Sequence, residues 1–265
     1  VVILTGDVVT SKPAKEGWKR IVEMMETAGV PFAVTMGNHD AENWSEDSIY
    51  NYLSKSRLFI GKKGPEALSG TGNYILPVYA SDGTDKINAL LYCMDSNDYT
   101  ADAEKYGNYA WIDWGQIAWY REQSRQYTTK NNGNPLPVLA FFHIGVPEFK
   151  HLQNRPDMYG HLGEGGGFPK INSGMFQSMI EMGDVMGVFV GHDHDNDYIA
   201  QEYGIALGYG RVSGHDAYGD LERGARIIEL FEDGRQFDTW IATPSGKSLA
   251  YYYPSAITSD DEAIV

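Results

Sequence analysis

Four runs of aliphatic and aromatic residues in this chain each stop at a polar residue that can bind a metal ion. The runs are VVILT, FAVTM, PVLAFF and VMGVFV, and directly or one glycine later come Asp7, Asn38, His143, and the pair His192 and His194. Runs of this length are typical of buried strands, and α/β sheets bind ligands beyond the carboxyl ends of their strands. We therefore expect a sheet whose strand ends bring these five side chains into one site.

The patterns between these runs predict a mixed α/β fold. A helical stripe that includes Trp18 and Met25 ends at Gly29 and separates the first two runs, which is the order of a parallel β-α-β unit. Residues 45–58 and 113–126 also have helical periodicity, and the chain beyond residue 200 reads as a series of strands. The fold class is therefore α/β (α+β), with two packed sheets and a helical layer outside each.

Turn residues predict two hairpins and one long loop. Asp82 and Gly83 are expected to join two antiparallel strands, and residues 232–234 to form a second turn. Residues 147–171 lack periodicity and are expected to form a long loop, of which the stretch GHLGEGGGF is expected to be a flexible part over the site. The stretch GHLGEGGGF in this loop lacks the lysine and the strand-to-helix context of a phosphate-binding loop.

Composition limits the classes of function. At 265 residues, with 42% hydrophobic residues and no apolar run of membrane-spanning length, the chain is expected to form one domain, residues 1–265, with no membrane span. The formal net charge of −15 argues against nucleic acid as a partner, because phosphate backbones are bound through lysine and arginine. Cys93 is the only cysteine, which excludes an internal disulfide.

Each polar residue has an ordinary interpretation when it is taken alone. The sequence Asn38-His39-Asp40 is typical of a turn, and a single histidine such as His143 is more often a hydrogen-bonded core residue than a ligand. The co-occurrence of four such motifs at strand ends favours a metal site. The three neighbouring acidic residues are interpreted as solvated loop charges or turn acceptors and not as ligands; they are Asp193, Asp195 and Asp197.

The motifs together resemble one known family. They are Gly6-Asp7, Gly37-Asn38-His39-Asp40, His143 and Gly191-His192-Asp193-His194. In order and approximate spacing they resemble the calcineurin-like metallophosphoesterases, and the phrases FFHIGVPEF and GRVSGHDAYGDLERGARII are similar to the purple-acid-phosphatase-related branch. The resemblance implies a four-layer α/β/β/α sandwich, here expected to lack its N-terminal strand.

The resemblance also implies a role for each motif residue. Asp7 would bridge two divalent or trivalent metal ions (Mn, Zn or Fe). Asn38, His143 and His192 would complete the second metal site, and His194 would serve the first. Thr10 stands where purple enzymes have a tyrosine ligand, so no iron–tyrosinate colour is expected.

The implied reaction is hydrolysis of small-molecule or protein phosphate esters by a metal-bridging hydroxide. His39 would assist the leaving group, and Asp40 would orient the His39 imidazole. The alternative is a non-catalytic metal- or phosphate-binding module with an incomplete site. The preference between monoesters and diesters and the oligomeric state stay open.

The start of the chain bears on targeting. The sequence begins directly inside a strand, so we expect an upstream segment, with the family's Asp-x-His motif and further ligands for the first metal, to be missing. A targeting segment therefore cannot be assessed. Localisation stays open, with a secreted or periplasmic location slightly favoured.

Overall fold

Residues 1–232 and 234–262, which a computed structural model of the protein describes, form strands and helices that alternate in the first two thirds of the chain. The strands are β1 (Val2–Thr5), β2 (Phe32–Thr35), β3 (Tyr74–Tyr79), β4 (Ile87–Cys93), β5 (Val138–Phe141), β6 (Val185–Val190), β7 (Ile199–Glu202), β8 (Ile205–Tyr209), β9 (Ala225–Leu230), β10 (Phe237–Thr243), β11 (Gly246–Tyr253) and β12 (Ile257–Thr258). The helices are α1 (Ala14–Ala28), α2 (Glu46–Leu53), α3 (Ala103–Tyr106), α4 (Trp114–Lys130), α5 (Phe149–Leu152), α6 (Met175–Met182) and α7 (Ser259–Glu262), with a 3₁₀ turn at Asp40–Glu42.

The first strands form the expected β-α-β unit. β1 and β2 pair in parallel, with Val2 opposite Phe32 and Thr5 opposite Thr35. α1 connects them and ends at Gly29, whose φ of 66° is a left-handed conformation that glycine adopts without strain. The prediction from the helical stripe and the terminating glycine is therefore confirmed.

A six-stranded sheet in the order β3-β4-β5-β6-β8-β7 forms the centre of the molecule. β4, β5, β6 and β8 are parallel, and the edge strands β3 and β7 pair antiparallel to their neighbours. The predicted hairpin around Asp82 and Gly83 is confirmed as β3-β4. Because β5 and β6 are parallel neighbours, the residues that follow them emerge at the same edge of the sheet.

The two faces of this sheet are covered by different layers. On one face, helices α4, α5 and α6 pack through residues such as Tyr120, Phe149 and Phe176. On the other, Phe141 and Phe189 pack in a core shared with the remaining strands and with α1 and α2. The order of helices, sheet, sheet and helices confirms the predicted four-layer α/β/β/α class.

Three sheets are present in the described part of the chain where two were expected. β1 and β2 form a two-stranded sheet, and β9 to β12 form an antiparallel sheet in the order β12-β11-β10-β9. Both lie against the same core, and within the described residues no ladder joins them. Sequence periodicity shows that a strand buries one face, but it does not show which edges pair.

The predicted helix boundaries needed small corrections. The helix expected over residues 45–58 ends at Leu53, and the helix expected over residues 113–126 continues to Lys130. Asp113 begins the second helix through a capping box with Gln116. The predicted turn at residues 232–234 includes Asp233, which lies outside the described residues. No helix in the described ranges has both the length and the apolar character needed to cross a membrane.

Candidate metal centre

Three of the predicted ligands meet at one point beyond the strand ends. The Asp7 Oδ2 atom, just after β1, lies 3.0 Å from Nε2 of His143, which follows β5. The Nδ1 atom of His192, which follows β6, lies 3.2 Å from the same Nε2 atom. One ligand atom from each of these residues lies within 4.8 Å of the others, and His143 is fully buried. This spacing brings one carboxylate and two imidazoles to a single position.

The backbone around this point is unusually close-packed. Asp7 and His192 have φ values of 52° and 72°, a left-handed region that costs a residue other than glycine about 1–3 kcal/mol. A Cβ atom on Gly37 would lie 2.3 Å from the backbone nitrogen and Oδ1 of Asp7, and one on Gly6 would lie 2.5 Å from Nδ1 of His143. The glycines of the motifs are therefore required by space, and the strained residues are held in place by the surrounding fold.

The other two predicted ligands present unpartnered atoms. Oδ1 of Asn38 and Nδ1 of His194 are buried and have no hydrogen-bond partner among the described residues. A buried polar atom without a partner costs about 1–3 kcal/mol, and a bound cation removes that cost. His194 lies outside the 4.8 Å group and stacks on Tyr218 with 4.0 Å between ring centroids. Carboxylate, amide oxygen and imidazole donors fit divalent metal ions.

Electrostatics keeps these residues in the protonation states that metal binding requires. Burial alone would raise the pKa of Asp7, but its hydrogen bond and ion pair with His143 outweigh burial and lower it. Burial lowers the pKa of His192 to about 3, with the charge of His143 adding to the shift. Burial also lowers the pKa of His194. An ionised carboxylate and neutral imidazoles are the forms that coordinate metal.

His143 differs from the other two histidines. Burial lowers its pKa, but the hydrogen bond and the charge of Asp7 outweigh burial and raise it. Its Nδ1 atom lies 2.7 Å from the carbonyl oxygen of Thr5, which fixes Nδ1 as the donor and turns Nε2 towards Asp7. The ring is therefore oriented for coordination through Nε2.

His39 faces outward beside this cluster. Its backbone nitrogen donates to Oδ1 of Asp7 at 2.8 Å, and 43% of its side chain is exposed. The ring Nδ1 lies 2.7 Å from Oε1 of Glu42, and Nε2 lies 3.5 Å from the Tyr99 hydroxyl. Nε2 is thus the ring atom on the side away from the orienting carboxylate.

The carboxylate that orients His39 is Glu42, and the assignment of this role to Asp40 is wrong. Asp40 is fully buried, and its two oxygens accept four backbone N–H groups at 2.8–3.0 Å, from Asp7, Val8, Val9 and Gly37. Asp40 therefore holds the loop after β1 to the loop after β2. The 3₁₀ turn at Asp40–Glu42 brings the Glu42 side chain back to the ring of His39, three residues earlier in the chain. The sequence alone does not show this, because Asp40 is the nearer neighbour of His39.

Two of the acidic residues near His192 are also buried. Asp193 accepts from the backbone of Gly167 at 2.9 Å, and Asp197 accepts from the backbone of His161 at 2.7 Å and pairs with Arg211. Their interpretation as solvated loop charges is wrong because both are buried, and they are not turn acceptors either, because their donors lie 26 and 36 residues away in the sequence. These contacts hold the glycine-rich loop on the site.

Gly167 belongs to this loop. A Cβ atom on Gly167 would lie 2.4 Å from Nε2 of His192. The loop that was expected to lie over the site is therefore in direct contact with one of the predicted ligands.

Three tyrosines line the site, and the sequence reasoning missed them. Tyr99 and Tyr109 stack with 6.0 Å between centroids, Tyr109 meets the His192 ring edge-on at 4.6 Å, and Tyr218 covers His194. All three lie in irregular segments, where periodicity gives no signal. Glu42 had one usable signal, its position three residues after His39 and just beyond the Asn-His-Asp motif.

A four-layer α/β/β/α sandwich with carboxylate, amide and imidazole donors at its strand ends is the arrangement of a metal-binding protein. The model of the calcineurin-like phosphoesterase family matches residues 1–196, and the chain belongs to this family. Membership implies divalent metal ions and phosphate ester substrates, in agreement with the donor set.

Curated relatives come from plants and yeast. The chain is 32% identical to a probable inactive purple acid phosphatase 29 and 30% identical to a probable inactive purple acid phosphatase 14, both from Arabidopsis thaliana. Each alignment covers 94% of this chain, and 68% and 67% of the respective relatives. The chain is also 28% identical to the phosphatase DCR2 of Saccharomyces cerevisiae, over 80% of this chain and 39% of that protein.

One solved structure with the same fold is a dimetal phosphatase from Danio rerio. It matches 92% of this chain and 80% of its own, with a TM-score of 0.55 and 14% sequence identity. At this identity the match shows a shared fold.

Proposed function

We propose that the protein is a dinuclear metal-dependent hydrolase of phosphate esters. The observation that supports this most strongly is the cluster of Asp7, His143 and His192, flanked by the unpartnered Oδ1 of Asn38 and Nδ1 of His194. A fold that buries two polar atoms without partners beside a carboxylate and two imidazoles fits cations as the missing partners.

The five ligands would divide between two ions. Asp7, Asn38, His143 and His192 would hold one ion, and Asp7 as the bridge with His194 would hold the other. Manganese, zinc and iron all suit these donors. When bound, the ions would polarise the phosphoryl oxygens and lower the pKa of a water molecule. They would also supply the positive charge that a chain of net charge −15 needs to attract a phosphate.

His39 would protonate the leaving oxygen. Glu42 accepts from Nδ1 and holds the ring, so a proton on Nε2 is directed away from Glu42 and towards the side of the ring where Tyr99 lies. The proton would pass from Nε2 to the departing alkoxide and leave a neutral imidazole. A positioned general acid of this kind contributes about 10²–10⁴-fold to the rate.

A second candidate is a binding module that keeps the metal site without turnover. The word "inactive" in the names of the two Arabidopsis relatives favours it, whereas the name of the yeast relative favours a phosphatase. The exposed His39–Glu42 pair in this chain supports the enzyme, because a binding module has no need of an oriented imidazole beside its ligands.

The experiment that separates these candidates compares His39→Ala with the unmodified protein in turnover of an aryl phosphate and in bound metal. We expect turnover to fall by about 10²–10⁴-fold with metal content unchanged. His151→Ala, which removes an exposed histidine that pairs with Glu202, is the matched control. No turnover in the unmodified protein would favour the binding module, and loss of metal in His39→Ala would make His39 a ligand.

A further inference from the structure

Asn38 is a proposed metal ligand whose side-chain amide has two possible orientations, and only one of them can bind a cation. Its amide presents either an oxygen, which binds cations, or an NH₂ group, which repels them. The Nδ2 atom donates to the Tyr99 hydroxyl at 2.7 Å, and Oδ1 is buried without a partner in residues 1–232 and 234–262. Asn38 is 3% exposed, so water does not readily replace the tyrosine as the partner of the NH₂ group.

A tyrosine hydroxyl both donates and accepts, so Tyr99 alone does not select an orientation. The selection comes from what the hydroxyl itself donates to. Its oxygen lies 3.5 Å from Nε2 of His39, and Nδ1 of His39 lies 2.7 Å from Glu42. A carboxylate accepts only, so Nδ1 bears a proton. When the ring is neutral, before Nε2 takes up the proton that it would pass to the leaving oxygen, Nε2 has a lone pair for the tyrosine O–H.

We infer that Glu42, His39, Tyr99 and Asn38 form a directional hydrogen-bond chain that sets the amide of Asn38 with Oδ1 towards the metal ion. In this chain Asn38 donates to Tyr99, Tyr99 donates to His39, and His39 donates to Glu42. Tyr99 is therefore a positioning residue that joins a metal ligand to the proposed proton donor. The inference rests on the proposed function, because it concerns the ion held by Asn38.

Calorimetric titration of the metal-depleted protein with Mn²⁺ or Zn²⁺ tests this chain. We expect Tyr99→Phe to weaken binding of the ion held by Asn38 by about 10-fold, at the lower end of the effect of removing a partner of a ligand. Tyr79→Phe is the matched control, since it makes the same chemical change at an exposed tyrosine at the end of β3. Its affinity is expected to equal that of the unmodified protein.

A double-mutant cycle tests the direction of the chain. In the described part of the chain, side-chain hydrogen bonds link Glu42 to Asn38 through His39 and Tyr99. Glu42→Gln is therefore expected to weaken metal binding by about 3-fold when Tyr99 is present and to add nothing to Tyr99→Phe. Independent, multiplying effects of the two substitutions would overturn the chain, because they would mean that Glu42 and Tyr99 act separately.

The side-chain amide of Asn38 gives a readout that needs no metal. In protein labelled with ¹⁵N-asparagine, its NH₂ signals are expected to shift in Tyr99→Phe and to stay in place in Tyr79→Phe. Unchanged amide signals, or equal metal affinity for Tyr99→Phe and the unmodified protein, would overturn the inference and leave the proposed function intact. An unmodified protein that binds no metal would overturn both.

Discussion

Asp40→Asn is the substitution that most sharply tests how the site is held in place. The carboxylate of Asp40 accepts two N–H groups at each oxygen, Asp7 and Gly37 at Oδ2 and Val8 and Val9 at Oδ1. An asparagine keeps the shape but replaces one oxygen with an NH₂ group. Two backbone N–H groups would then face a donor in the fully buried interior.

The expected loss of unfolding free energy in Asp40→Asn follows from these four hydrogen bonds. A hydrogen bond to a charged acceptor contributes about 1.5–3 kcal/mol, so the loss of two lowers the free energy of unfolding by about 3–6 kcal/mol. Domains have about 5–15 kcal/mol in total, so the loss is a large fraction of the stability. The loop that positions Asp7 is released at the same time, and metal affinity is expected to fall with stability.

The assay is equilibrium unfolding in urea, followed by circular dichroism at pH 8. Burial raises the pKa of Asp40 to about 6, so the carboxylate is ionised at this pH. Asp85→Asn, at an exposed residue of the β3-β4 turn, is the control for the same chemical change. An unfolding free energy of Asp40→Asn within about 0.5 kcal/mol of that control would refute the reasoning.

Two further predictions concern space and protonation. Gly37→Ala is expected to abolish tight metal binding in calorimetry, because the new Cβ would lie 2.3 Å from Asp7. Gly165→Ala is the control and is expected to bind metal normally, because a Cβ there would meet no described atom within 4 Å. Equal metal affinities of the two variants would contradict the close approach of Gly37 to Asp7. Burial, followed by the charge of Glu46, raises the pKa of Asp95 from 3.8, so folding takes up a proton. The contribution of Asp95 to stability is therefore lost as pH rises above 3.8, by up to about 1.4 kcal/mol per pH unit. Asp95→Asn is expected to flatten the fall in unfolding free energy between pH 5 and 7. Equal slopes of unfolding free energy against pH in the variant and the unmodified protein would contradict this.

Local patterns predicted the parts of the fold that depend on neighbours in the sequence. The helix from Ala14 to Ala28, its end at Gly29 and the β3-β4 hairpin follow from periodicity and turn residues. The meeting of Asp7, His143 and His192 was predicted from strand ends, because parallel strands deliver their last residues to one edge.

Contacts between distant or reversed segments were not readable in the same way. Asp40 and Glu42 both lie close to His39 in the sequence, and only the path of the 3₁₀ turn decides which carboxylate meets the ring. Asp193 and Asp197 looked like loop charges because their partners come from segments that have no periodic signal. The order of the strands after β8 likewise depends on which strand edges pair with each other. The alternation of polar and apolar residues along a strand does not determine this pairing.

Turnover measured as a function of bound metal decides whether the protein is a dinuclear hydrolase. Metal-depleted protein would be titrated with Mn²⁺, Zn²⁺ or Fe²⁺, and hydrolysis of p-nitrophenyl phosphate and the metal content would be measured in the same samples. We predict that turnover appears as the second equivalent of metal binds, and that His194→Ala retains one equivalent and loses turnover. Two equivalents bound with no hydrolysis would contradict a hydrolase and indicate a metal-binding module.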